Sequence, residues 1–199
     1  GAFREFLEEA GETHRDPKIF WQQGIAAAAL GQHEEARDFW YQAARAGYGS
    51  DAEKMFQGIS LWLGGNLTGA ANYFETRAGK PEATPMAKMY HGFVLDAMGS
   101  SSSLIIEAFS GGLAELPTVG RAHFRMARAM LDWNQSWEAL EHAEQAEFLG
   151  VDELELWALW AAAAIDAQEI LVVEEKLARA KEFRDSDESE FVVLTEAEL

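Results

Sequence analysis

Apolar residues along this 199-residue chain fall at helical spacing in short blocks. Phe3, Phe6, Leu7 and Ala10 share one face and predict a lone helix over residues 1–16. From residue 17 the blocks come in pairs. Residues 18–30 predict a helix, Gly31, Gln32 and His33 a turn, and 34–46 a second helix, which together make an αα-hairpin. The hairpin recurs. A small residue stands in mid-helix at Gly24, Gly58, Gly92, Ala127 and Ala161, at intervals of 34, 34, 35 and 34 residues. Seven residues after each comes a turn marker: Gly31, Gly65, Gly99, Asn134 and Gln168. Glycine inside a helix costs about 1 kcal/mol relative to alanine, so its return at one phase points to close approach of a partner helix. The units are 17–50, 51–84, 85–118, 120–153 and 154–187, with one residue inserted near Val119. A repeat of this length implies an all-α solenoid in which each hairpin covers its neighbour's apolar face.

Polar positions are patterned too. Glu138, Glu141, Glu144 and Glu147, spaced by three, mark a solvated convex face on the second helix of the fourth unit. The third unit departs from the rest. Four serines, 100–103, follow Gly99, and Gly111 and Gly112 arrive two turns later, which predicts a short second helix capped by a serine. Such a helix bends the array slightly, or provides a hinge or opening. At the acidic end, 188–199 predict a final helix whose Phe191 and Leu194 cap the fifth unit. The alternative is an acidic-then-apolar segment that adds as a strand to a partner's sheet edge.

The spacing of small residues, turn residues and aromatics resembles the tetratricopeptide repeat. The first unit supplies Gly24, Gly31, Ala36, Trp40 and Ala43, and the second Gly58, Gly65, Ala70 and Phe74. The fourth keeps Ala127, Asn134, Ala139 and Ala146 but has Ala143 where the aromatic belongs, and the fifth is looser, with Ala161, Val173, Leu177 and Ala180. Residues 40–47 also resemble the junction of Sel1-like repeats. The proline that usually ends each unit is missing at the matching positions. The resemblance covers about 17–184 and implies a right-handed superhelix of about five hairpins, with a flanking helix at each end.

The same resemblance implies that the first helix of each hairpin lines a concave groove that binds protein or peptide. Its lining would include Trp21 and Ile25 from the first unit, Met55, Ile59 and Trp62 from the second, Met89 and Phe93 from the third, and Phe124 from the fourth. A stripe of Met and aromatic side chains suits an apolar peptide or helix. At helical spacing it equally suits a packed core. Arg121, Arg125 and Arg128, spaced by four and three, share one helix face and point to a clamp for a partner's carboxylates, or to internal pairing with Asp96, Asp132 or Glu155. Trp21 and Ile25 stand where the carboxylate-reading members of the family carry Lys and Asn, so that specificity is not implied here.

Charge narrows the partners. Sixteen basic against 34 acidic residues leave a net charge of −18, which disfavours nucleic acid and anionic membranes. No stretch nears the roughly 20 apolar residues of a membrane span. With no Cys, disulfides, thiolate metal sites and thiol nucleophiles are excluded. The five His show no metal spacing, so neither catalysis nor a metal or cofactor is expected. A cytoplasmic location is slightly favoured, a periplasmic one following if a targeting segment has been removed from the amino end. The expectation is a protein-interaction module, with a chaperone- or assembly-related role, holding an apolar partner segment in the groove. The alternative is a scaffold subunit that self-associates through it.

Overall fold

A computed structural model describes residues 16–78 and 84–186. The flanking helices expected over 1–16 and 188–199 fall outside this set, apart from Asp16. The Asp16 carboxylate accepts from the Lys18 amide at 2.9 Å and caps the first described helix. Among the described residues there are ten α-helices and no strand: α1 (Pro17–Ala29), α2 (His33–Arg45), α3 (Ser50–Leu63), α4 (Leu67–Ala78), α5 (Pro85–Ala97), α6 (Ser102–Leu113), α7 (Gly120–Asp132), α8 (Ser136–Phe148), α9 (Leu154–Asp166) and α10 (Ile170–Ser186). They form five successive hairpins, so the fold is an all-α hairpin repeat. The chain, expected as one domain, divides into two compact units, Gly1–Ala122 and His123–Leu199.

The turn markers owe their recurrence to the backbone. Gly31, Gly65, Gly99, Asn134 and Gln168 have φ of 77°, 80°, 66°, 57° and 62°. Each ends a first helix in the left-handed conformation. The next amide then bonds back to the carbonyl five residues earlier: Gln32 to Ala27, Asn66 to Leu61, Ser100 to Leu95, Gln135 to Met130 and Glu169 to Ala164, at 2.8–3.0 Å. This closure satisfies helix-end carbonyls and reverses the chain within a few residues.

The mid-helix small residues owe theirs to packing. Methyls placed on Gly24 and Gly58 would overlap the rings of Trp40 and Phe74, and one on Gly92 would come within 2.8 Å of Phe109. Trp40, Phe74 and Phe109 are fully buried. Where the second helix offers Ala143 instead of a ring, the first helix carries Ala127, and both are buried. Bulk on one helix is matched by its absence on the other, which keeps the interior close-packed.

Two expectations about the third hairpin are corrected. α6 is not a short, degenerate helix: it runs twelve residues and passes through Gly111 and Gly112. Nor is the extra residue near Val119. The helix-ending bond from Ser100 to Leu95 keeps the phase of the earlier turns, yet α6 starts three residues after its turn residue Gly99, against two in the other hairpins. The insertion therefore lies in the serine turn, and it moves the ring that packs on Gly92 to Phe109. Ser101, at the N-cap, makes no side-chain capping hydrogen bond.

Candidate functional site

In the first compact unit, which holds the first three hairpins, the apolar stripe on the first helices divides into buried and partly exposed members. Met55, Ile59, Met89 and Phe93 are buried, at 1%, 0%, 0% and 5% exposure, so these four offer almost no surface to a partner. Trp21, Ile25 and Trp62 are half-buried. Trp21 stacks on Tyr48 with ring centres 5.0 Å apart, and its carbonyl accepts from the Trp40 indole at 3.3 Å.

Tyr90 explains why the stripe is closed. Its ring lies 5.6–5.8 Å from those of Trp40, Trp62, Phe74 and Phe93, in mostly edge-on arrangements that favour aromatic contact. The phenol is fully buried, which drives its pKa far above the ordinary value, and it shares a hydrogen bond of 3.0 Å with His33 Nδ1. His33 opens α2 and packs its ring 4.6 Å from Trp62 and 5.6 Å from Phe93. Residues of the first, second and third hairpins thus meet in one aromatic cluster. Neither Tyr90 nor His33 was expected at the site. A tyrosine on an apolar face and a histidine in a turn look unremarkable until the hairpins are stacked.

Trp62 lies over this cluster, parallel to Phe93 within 6° at 6.3 Å, and keeps part of its surface. Arg121 is half-buried, its side chain beside the first turn: a methyl on Gly31 would come within 2.8 Å of its Nε.

The second unit has its own core. Phe124 is buried at 3% exposure among Ala127, Ala143, Val151, Leu156, Trp157 and Trp160, and so belongs to the interior rather than to a lining. Arg125 and Arg128 are half-buried, with the Arg125 guanidinium 5.2 Å from the centre of the Phe124 ring. His123 and His142 join α7 to α8 through an Nδ1–Nδ1 hydrogen bond of 2.7 Å. Burial, and then the neighbouring His123, push the pKa of His142 down to about 4. Lys176 is buried over the Trp160 ring at 3.7 Å and pairs with Glu175 at 2.8 Å and Glu147 at 3.4 Å. Among the described residues no three or more His, Asp or Glu side chains gather as a metal site, and no helix is long and apolar enough to cross a membrane.

No protein-family model matches the chain, and no curated protein matches it by sequence. Solved structures do resemble it. YrrB, described as a tetratricopeptide-repeat protein with an unusual peptide-binding site, is 15% identical with a TM-score of 0.60, over 100% of this chain and 99% of that one. MamA from Desulfovibrio magneticus RS-1, residues 41 to the end, is 19% identical with a TM-score of 0.58, over 87% and 97%. A chain of the Cut9–Hcn1 hetero-tetramer of APC/C is 15% identical with a TM-score of 0.61, over 96% of this chain and 37% of that one. The chain has the tetratricopeptide-repeat fold.

Proposed function

We propose that this chain is a non-catalytic protein-interaction module that holds an apolar segment of a partner against the first-helix face of its first unit. The observation that carries this is the state of Trp62. Its indole is held by Tyr90, Phe93 and His33, yet remains partly exposed. A large ring already fixed in place loses little freedom when a partner covers it, which is what makes tryptophan an effective anchor. Ile25 adds partly exposed apolar surface in the same unit. His33, Tyr90 and Phe93 keep Trp62 in position. A chaperone- or assembly-related role suits a surface of this kind, and the peptide-binding site described for YrrB sets a precedent on the same fold.

The test is a peptide array probed with the purified chain, followed by titration of the best apolar sequences. Apolar peptides should bind, and Trp62→Ala should weaken them about tenfold or more. Equal binding by wild type and Trp62→Ala would remove this face from the function. Light scattering separates the alternative: a dimer that Trp62→Ala dissociates would assign the face to self-association.

A further inference from the structure

The second unit presents apolar side chains that its own core does not use. Trp133 and Trp137 bracket the turn between α7 and α8 and are 49% and 58% exposed. Leu171, at the matching place in the next hairpin, is 81% exposed. The backbone under the indoles is tied down: the Trp133 amide donates to Ala129 and Met130, Gln135 donates to Met130, and Asn134 holds the left-handed turn. The exposed charged side chains within about one helical turn of them are acidic, while the exposed Arg179 and Lys181 lie two turns or more along α10 from Leu171. Asp132 precedes Trp133, Glu138 follows Trp137, Glu141 lies one turn further along α8, and Glu174 lies one turn after Leu171, all exposed. α8 contains no Lys or Arg. Lys176, on α10, is already committed to Glu147 and Glu175.

We propose that Trp133, Trp137 and Leu171 form a docking surface for a basic amphipathic segment of a partner protein. Its apolar side chains seat on the indoles, and its Lys and Arg face Asp132, Glu138, Glu141 and Glu174. Exposed tryptophans supply the anchor and the acids supply orientation and selectivity. A second copy fits poorly, because a two-fold pairing sets the same acids against each other. An anionic lipid surface meets the same repulsion. This surface does not depend on Trp62 and stands even where the first-unit proposal fails.

The experiment is fluorescence anisotropy of the full chain with a labelled synthetic peptide of about 18 residues, roughly five helical turns, built from Leu and Lys at helical spacing. A Leu/Glu peptide of the same pattern is the comparison. The Leu/Lys peptide should bind, the Leu/Glu peptide should not, and salt should weaken the complex. Trp133→Ala, Trp137→Ala and the pair Glu138→Lys with Glu141→Lys should each cost about tenfold or more. Phe148→Ala, which removes an aromatic 82% exposed at the opposite end of α8, should change nothing. These side chains are exposed, so circular dichroism should remain that of the wild type. Unchanged binding in a Trp133→Ala/Trp137→Ala chain overturns the proposal, as does equal binding of the two peptides. A dimer, or attachment to phosphatidylcholine vesicles, that is lost in those variants overturns it in favour of a second copy or a membrane.

Discussion

Trp40 packs its indole against α1 so closely that a methyl at Gly24 would overlap it, while its Nε1 donates to the Trp21 carbonyl. The glycine is the complement of the tryptophan. Alanine at 24 gains about 1 kcal/mol in helix propensity, but overpacking typically costs about 1–3 kcal/mol and the neighbouring ring is fully buried. Gly24→Ala should therefore lower the stability measured by urea unfolding, by roughly 1 kcal/mol. Ala127→Gly, facing Ala143 rather than a ring, should also lower it, by about 1–2 kcal/mol, through lost helix propensity and a lost buried methyl. A gain in stability for Gly24→Ala would contradict this packing.

At the last hairpin turn a glutamine does what glycine does in the first three. Gln168 has φ of 62°, a conformation that disfavours side chains with a Cβ. Gln168→Gly should raise stability by about 0.5–1 kcal/mol, seen as a higher midpoint in thermal or urea unfolding. The same change at Asn134 should give less, since asparagine tolerates this region better.

The His123–His142 pair makes the second unit sensitive to acid. His142 holds its pKa near 4 in the fold, against 6.5 ordinarily, so the unfolded chain takes up a proton first as pH falls. Stability should decline from about pH 6.5 toward about pH 4, and this contribution should level off below that. His142→Gln removes the group, and its urea midpoint should fall less steeply between about pH 7 and pH 5 than that of the wild type. Parallel profiles would sink this account.

The repeat was legible in the sequence because two backbone-level demands recur within it: room for a ring at Gly24, Gly58 and Gly92, and a left-handed turn residue seven positions on. Helix limits followed to within one residue, with α1 expected over 18–30 and observed over Pro17–Ala29. The serine turn misled for a physical reason. Phe109, midway along α6, packs on Gly92, and that packing overrides the weak helix preference of serine and glycine. The state of the groove stripe was not legible. Spacing gives the face on which Met55, Ile59, Met89 and Phe93 lie, but whether that face is open depends on how successive hairpins stack. The contact of Tyr90 with His33, 57 residues earlier, is one product of that stacking. Trp133 and Trp137 escaped notice because an apolar residue beside a turn looks the same in sequence whether it is covered or not.

The central claim is that Trp62 and Ile25 serve binding while the side chains beneath them serve folding. The most direct test compares the wild type with Ile25→Glu and Phe93→Ala, measuring for each the affinity for one array-selected apolar peptide and the melting temperature. Phe93→Ala should destabilise by about 3–5 kcal/mol, as expected for a buried phenylalanine. Ile25→Glu should cost the peptide about tenfold or more in affinity while the chain melts within a few degrees of the wild type. Full affinity in a folded Ile25→Glu chain would contradict the claim.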